Sequence, residues 1–365
     1  MKKVLLIAGT RPNFIKLAPL YHKLKNYPKY NIKICHTGQH YDKNMSDVIL
    51  NALKIPQPDF SLNVTGTNVA DTIGKTIIEI NNVIVKNPFD LLIVFGDVNA
   101  TVAGAITGVQ NKIKVAHVEA GLRSFDRNMP EEINRIITDH VSDLLFVSEE
   151  SGMDNLKKEG FDMAKVHFVG NIMIESLLNT KHKWEKINFS KEINQFLELK
   201  PVVATFHRPE NVDNKINLEK VLLILKEISI NKKIIFPIHP RTKAKIKEFQ
   251  LEDFFSNKNI LFIEPQGYFE FINLISKSQL VITDSGGVQE ETSFLNIPCV
   301  TFRKNTERPI TIKIGTNLLL CIDDNDFKSK INMHIEEMNE REQVQIPLWD
   351  NKVSERIINI INQAN

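Results

Sequence analysis

Val281-Ile-Thr-Asp284-Ser285-Gly286-Gly287-Val-Gln-Glu290-Glu291 begins as a β-branched apolar run and turns, without a spacer, into a helical pattern. Backbone N–H groups at such a turn have no intrahelical partner, and the helix dipole favours negative charge in front of them. The turn at Ser285, Gly286 and Gly287 therefore reads as a seat for phosphate. Two glutamates follow in the first turns of the helix, and a carboxylate beside a phosphate seat is placed to accept hydrogen bonds from a ribose diol. The plainer reading is a capped strand-to-helix turn, tight because of its glycines and acidic because of the dipole. The ligand that the first reading favours is a nucleotide or a nucleotide-sugar.

Working outward, short apolar runs alternate with longer amphipathic segments almost from end to end, the pattern of parallel α/β architecture. The first half predicts strands over Val4–Ala8, Ile32–His36, Leu91–Phe95, Val115–Val118, Leu144–Val147 and Val166–Val169. The second predicts them over Val202–Phe206, Ile234–Ile238, Ile260–Ile263, Leu280–Thr283, Cys299–Phe302 and Leu318–Ile322. Between the two series, Asn179 to Lys200 is polar and lysine-rich, which places the domain connection there. Two doubly wound, Rossmann-like domains follow, over residues 1–177 and 178–351, with ligand groups expected at the carboxyl ends of the strands and in the cleft between the domains.

Composition excludes several classes. At 365 residues the chain is longer than one core usually serves, so two domains are the default. Its 46 basic and 44 acidic residues nearly cancel and are scattered, so nothing argues for nucleic acid and an anionic ligand must be held locally. Cys35, Cys299 and Cys321 lie in apolar runs at spacings that suit neither a disulfide framework nor zinc, which reads as a reduced, cytoplasmic protein. The run Met1–Ala8 is too short to span a membrane and lacks a cleavage pattern, so it is expected to be the first strand. Sequence fingerprints for dinucleotide binding, P-loop ATP hydrolysis and the serine-hydrolase elbow are missing.

Three acids stand where this fold displays reactive groups. Asp97 follows Leu91–Phe95, Glu119 follows Val115–Val118, and Glu131 follows the loop Gly121–Pro130. If the two strands are neighbours, at about 5 Å spacing, Asp97 and Glu119 end roughly 5 to 10 Å apart, and the loop can return Glu131 to the same rim. Acids so close do not all ionise easily, so one can serve as acid while another serves as base. Taken singly, each has a plain explanation: Asp97 in a turn, Glu119 paired with Arg123, Glu131 and Glu132 at a helix start. Arg11, in the first strand-to-helix turn, and Lys16, a turn into the helix, are cations in reach of a diphosphate. His207, Arg208 and His239 end the first two strands of the second domain. Gln266, Tyr268 and Phe271 would offer a seat for a flat base, unless Tyr268 and Phe271 simply pack in the core; Arg308 is a further candidate phosphate ligand.

Taken together, Gly9-Thr-Arg-Pro with Lys16, Thr37-Gly-Gln-His40, Gly96-Asp97, His117-Val-Glu-Ala-Gly-Leu-Arg-Ser124, Pro130-Glu-Glu-Ile-Asn-Arg135, His207-Arg208, Asp284–Glu291 and Thr306-Glu-Arg-Pro309 resemble the non-hydrolysing UDP-N-acetylglucosamine 2-epimerases, in order and over nearly the whole chain. The resemblance implies a GT-B-like pair of Rossmann-type domains, with the last helix, within about 352–365, returning to the first. It implies interconversion of UDP-GlcNAc and UDP-ManNAc without NAD or metal, by a homodimer. Asp97, Glu119 and Glu131 then resemble the family's catalytic carboxylates. His207, Arg11, Lys16, Ser285, Gly286, Gly287 and Arg308 resemble its diphosphate grip, with His207 assisting departure of the leaving oxygen. Gln266 and Phe271 look like the uracil seat, and Glu291 the ribose ligand.

One departure stands out. Relatives that bind a second UDP-GlcNAc as activator use a glutamine where this chain has Asp42, and an arginine in a loop where Leu62–Ala70 has no basic residue. Gln39, His40, Arg208 and His239 remain of that second site, so activation is expected to be weak or absent. A related UDP-sugar as substrate, a hydrolysing 2-epimerase and a GT-B glycosyltransferase are the alternatives.

Overall fold

Consecutive β-branched and aromatic residues pack on both faces when helices cover a parallel sheet, and the apolar runs of this chain do so. The computed structural model describes residues 1–38 and 43–364, with side chains described except at 43–47. It divides into two units, Met1–Thr180 with Pro347–Asn365, and Lys181–Ile346.

In the first unit, β1 (Lys2–Ala8), β2 (Tyr30–His36), β3 (Phe60–Ser61), β4 (Leu91–Phe95), β5 (Lys114–Ala120), β6 (Leu144–Val147) and β7 (Val166–Phe168) form one sheet. Its order is β3-β2-β1-β4-β5-β6-β7, all pairs parallel. The order reverses between β1 and β4, so loops leave to opposite sides there and open a crevice at the strand ends. Leu5, Ile7, Leu92, Val94 and Val115 pack with Ile80 and Ile84 of the helix Val69–Lys86 on one face of the sheet. Register between β4 and β5 runs from Leu91–Lys114 to Phe95–Val118, which brings their carboxyl ends level. β5 then slips register against β6 between Val118 and Ala120, a bulge at Glu119. The two-residue β3 was not expected; it is too short for an alternation pattern and exists because it pairs with Cys35 and His36.

The second unit repeats the plan. β8 (Val202–Thr205), β9 (Ile234–Pro237), β10 (Ile260–Ile263), β11 (Leu280–Thr283), β12 (Cys299–Phe302) and β13 (Asn317–Leu320) form a parallel sheet in the order β10-β9-β8-β11-β12-β13. Here the reversal falls between β8 and β11. The rings of Phe206, Phe236 and Phe302 pack in its core, edge-on and tilted, with centroids 6.4 and 6.1 Å from Phe206.

The division between the units, Thr180/Lys181, falls in the lysine-rich stretch 179–200. The stretch forms helices Lys181–Trp184 and Lys191–Leu197, and Trp184 is buried in the second unit, its carbonyl accepting from Asn273 Nδ2 at 2.6 Å. One large aromatic is enough to dock a segment whose lysines face water. After Ile346 the chain rejoins the first unit. There the helix Val353–Gln363 buries Val353, Ile357, Ile358 and Ile361, and the Ser354 N–H and hydroxyl each donate to the Glu175 carboxylate at 2.6 Å. Burial pushes the thiols of Cys35 and Cys299 up to about 12 and about 11, so neither is a reactive thiolate. Among the described residues no helix is long and apolar enough to cross a membrane.

Candidate active site

The carboxyl edge of the first sheet gathers the predicted acids. Asp97 follows β4 and Glu119 lies at the bulge of β5, each with its own cation. Lys16, on the helix Arg11–Leu24 that follows β1, forms a buried ion pair with Glu119. The pairing with Arg123 is not formed; Arg123 turns the other way, to Asp139 and Glu159. Glu119 has φ +77, a conformation that costs a non-glycine residue of order 1 to 3 kcal/mol and recurs at functional sites. Gly96 makes the arrangement possible. Its φ is +65, and a Cβ there would stand 2.8 Å from Lys16 Nζ and 3.6 Å from Glu119 Oε2. Arg11 is exposed at the first position of its helix, and Asn13 ties that turn to the end of β4 by donating to the Phe95 carbonyl at 2.9 Å.

Asp97 is held by the helix Pro130–Val141. Arg135 pairs with its carboxylate, and Asn134 Nδ2 donates to its carbonyl at 2.9 Å. Glu131 is exposed one turn earlier, three and four residues before Asn134 and Arg135, so it shares the helix face that meets Asp97. Its neighbour Glu132 stands at the helix start as expected, but it is buried and its partners were not anticipated. It accepts from Arg135 Nη2 at 2.7 Å and from the N–H groups of Ser124 and Phe125, both at 2.9 Å. Burial alone would raise its carboxyl; the Ser124 N–H and the Arg135 guanidinium outweigh that and hold it below the ordinary range. Asp139, further along the same helix, accepts from His117, Gly121 and Arg123. Glu132, Arg135 and Asp139 are spaced i, i+3, i+7, and that stripe of charge on one helix face was the available sequence signal, although such a stripe usually faces water.

On the second unit, the predicted residues line the carboxyl ends of consecutive strands. Gln266 follows β10, His239 follows β9, His207 and Arg208 follow β8, Ser285 follows β11 and Arg308 follows β12. Asp284, fully buried, organises the centre. It accepts from the N–H groups of His207 and Arg208 at 3.1 and 3.0 Å and from Asn211 Nδ2 at 3.1 Å, and its Oδ1 stands 3.3 Å from His207 Nδ1. Burial lowers the His207 ring below the usual histidine value, against the opposing pull of Asp284, so the ring is neutral at pH 7. The His207 and His239 rings lie 5.4 Å apart, and His239 Nδ1 accepts the Arg241 N–H at 3.2 Å.

Ser285 is the N-cap of the helix Gly286–Leu295, whose first residues are the two glycines. A Cβ at Gly286 would meet Arg308 Nη1 and Glu307 Oε1, both at 2.7 Å; one at Gly287 would meet nothing within 4 Å. Arg308 is buried, paired with Glu307 and, at 3.0 Å, with Glu290. Arg303, which sequence did not single out, stands 2.9 Å from Glu307 and is buried beside it, and burial lowers its guanidinium against the pull of Glu307. Gln289 fastens this loop to the helix, accepting from Thr306 Oγ1 at 2.7 Å and Asn317 Nδ2 at 3.1 Å. Glu291 is buried on the same helix. Tyr268 is buried in the core and Phe271 is half-buried on the helix Tyr268–Ser276. Gln39, His40 and Asp42 lie outside the described residues. Among the described residues no cluster of His, Cys, Asp or Glu is built to hold a metal ion.

A family model described as UDP-N-acetylglucosamine 2-epimerase matches residues 22–362. The chain is 43% identical to the UDP-N-acetylglucosamine 2-epimerase of Methanocaldococcus jannaschii over 370 residues, 98% of each protein. It is 40% identical to the UDP-2,3-diacetamido-2,3-dideoxy-D-glucuronate 2-epimerase of Pseudomonas aeruginosa over 322 residues, 87% of this chain and 88% of that one. Among solved structures it is similar to the M. jannaschii UDP-GlcNAc 2-epimerase in complex with UDP-GlcNAc and UDP, with a TM-score of 0.88, 42% identity and full coverage of both chains.

Proposed function

Because this chain belongs to the UDP-N-acetylglucosamine 2-epimerase family, we propose that it interconverts UDP-GlcNAc and UDP-ManNAc without net hydrolysis. The observation that carries the reading is the pair of acids on adjacent strands, Asp97 and Glu119, each set against a different cation. A carboxylate removes the C2 proton as the C1–O bond to UDP breaks, giving a 2-acetamidoglucal; UDP then adds back at C1 while a proton returns to the other face of C2. Asp97, Glu119 and Glu131 share the proton work. Their cations differ in kind. Arg135 is also bound to Glu132, so Asp97 is held by a fixed fork, whereas Lys16 holds Glu119 by a single flexible point charge.

The leaving diphosphate falls to the second unit. Ser285 at the N-cap, the N–H groups of Gly286 and Gly287 at the helix start, the charge of Arg308 and the ring of His207 retain it, so that the elimination can reverse. Arg11 and Lys16 add positive charge, Glu291 takes the ribose, and Gln266 and Phe271 seat the uracil. No resident cofactor enters this scheme. A homodimer in the cytoplasm, with the two Rossmann-like units divided near residue 178 and rejoined by the last helix, belongs to the same proposal.

Incubation with UDP-GlcNAc in D2O tests it. The expected result is deuterium at C2 in a mixture of epimers, with UDP returning to the sugar; accumulation of free UDP with free ManNAc would assign the hydrolysing reaction instead, and absence of C2 exchange would sink the reading for this substrate. The 40% identity to a 2-epimerase of a diacetamido-uronate favours one second reading, the same chemistry on a UDP-sugar bearing other C3 and C6 groups. Faster exchange with that substrate than with UDP-GlcNAc selects it.

A further inference from the structure

We propose that His117 is a buried imidazolium and acts as the positioning residue that fixes both turns carrying Asp97 and Glu119. His117 lies on β5, two residues before Glu119, and is fully buried. Its Nε2 stands 2.8 Å from the Gly96 carbonyl oxygen and its Nδ1 stands 2.7 Å from Asp139 Oδ1. A carbonyl oxygen only accepts, so Nε2 carries a proton. Asp139 Oδ2 already accepts the Gly121 N–H at 3.1 Å and Arg123 Nη1 at 2.7 Å, and Oδ1 is left to accept from Nδ1. A neutral ring has one N–H and would turn a lone pair toward one of these two acceptors, a buried mismatch of roughly 1 to 3 kcal/mol.

The surroundings supply the charge balance that a buried cation needs. Facing His117 is Asp139, from the helix Pro130–Val141. Behind Asp139 is Arg123, from the loop after β5, and Arg123 is held by Glu159 through two bonds of 2.8 and 2.7 Å. On the other side of Gly96 stand Lys16 and Glu119, already paired with each other. Asp139 and Glu159 thus offset His117 and Arg123. Burial alone would raise the Asp139 carboxyl; His117 and Arg123 outweigh it and keep Asp139 below the ordinary aspartate range, hence charged. Two donors on Oδ2, one of them the buried guanidinium of Arg123, favour the carboxylate over the carboxylic acid at Asp139.

The two ends of this arrangement reach the two turns of the site. His117 holds the carbonyl of Gly96, the residue before Asp97, and Asp139 holds the N–H of Gly121, two residues past Glu119. Without the ring, the Gly96 carbonyl loses its partner and the turn before Asp97 is left with the bond from the Gly96 N–H to the Val118 carbonyl. The role rests on the proposed epimerase reading, and two measurements separate the failure of one from the failure of the other. With histidine labelled in 15N in the full chain, and His117 assigned from the signal lost in His117→Gln, both ring nitrogens are expected to show directly bonded protons in the folded protein at pH 7. A single protonated nitrogen there overturns the imidazolium whatever the activity. For the positioning role, His117→Gln and Asp139→Asn are each expected to lower kcat for C2 deuterium incorporation by about 10²-fold while UDP affinity is unchanged. A folded variant with the parental kcat overturns it, and should both variants fail to fold, the spectrum of the parental protein still decides the imidazolium. Wild-type protein that exchanges no C2 proton of UDP-GlcNAc sinks the functional reading and leaves the spectrum to decide the ring.

Discussion

Lys16 and Glu119 form a buried ion pair against the bare Cα of Gly96, in a space that a single methyl group would fill. Removing either partner strands the other charge, at a cost of about 3 to 5 kcal/mol, so Lys16→Met and Glu119→Gln are each expected to be strongly destabilised. The double variant Lys16→Met with Glu119→Gln removes both charges together and should recover most of that loss in denaturant melting. Gly96→Ala leaves the charges and forces the contact; it should lose about 1 to 2 kcal/mol from backbone conformation alone. Additive losses in the double variant would show that the pair is not coupled.

Arg135 divides its guanidinium between Asp97 and Glu132. A lysine offers one point charge and not a fork, so Arg135→Lys should leave Asp97 loosely placed. The expected result is a fall in kcat of about 10²-fold with UDP affinity, by calorimetry, unchanged. Loss of UDP affinity in step with kcat would argue against a role confined to the acid.

Gly287 has open space where a side chain would be. Alanine there should be tolerated or should stabilise the free protein by about 0.4 to 1 kcal/mol, because the unfolded chain loses freedom. If the helix start receives a diphosphate, the same methyl lies in its path, and UDP affinity should fall at least about tenfold, about 1.4 kcal/mol. Unchanged affinity would move the phosphate elsewhere.

His207 has its value lowered by burial, so between that lowered value and the ordinary 6.5 the unfolded chain binds a proton that the folded chain does not. The contribution of His207 to stability is therefore present above the ordinary value and lost as pH falls through this window. A diphosphate beside the ring would favour the charged form and reverse the sign. UDP binding should then take up a proton, read as a dependence of the binding enthalpy on buffer ionisation, and this dependence should vanish in His207→Asn.

Activation by a second UDP-sugar is expected to be weak or absent, on the strength of Asp42 and the absence of a basic residue from Leu62 to Ala70. Initial rates should follow a hyperbola in UDP-GlcNAc. A sigmoidal curve that straightens with trace UDP-GlcNAc when UDP-ManNAc is the substrate would contradict it.

The strands were legible because parallel sheets covered on both faces require continuous apolar runs, and Leu91–Phe95 and Leu280–Thr283 are such runs without interruption. The position of Asp97, Glu119, His207 and Ser285 followed from the rule that ligand groups sit at strand ends. What holds them was not legible. Glu132, Arg135 and Asp139 look like an ordinary solvated helix face until the helix is known to lie beside Asp97, and only then does their spacing gain meaning. The bulge at Glu119 is equally silent, since a residue forced to φ +77 has no signature in its own side chain. Trp184 was passed over for the opposite reason: the lysines around it dominated the composition of the segment, although one buried indole decides where the segment docks.

The return of the helix Val353–Gln363 to the first unit has a consequence for the order in which the protein is made. Residues 181–346 emerge whole and can close around their own sheet while the first unit, already translated, still lacks the surface that covers the helix Arg11–Leu24 and the bonds from Ser354 to Glu175. The half that carries the acids is thus the first to be synthesised and the last to be completed. A fragment covering 1–180 alone should be soluble only poorly and inactive in the proton chemistry, whereas a permuted chain that begins with 347–365 would supply its missing helix before anything else.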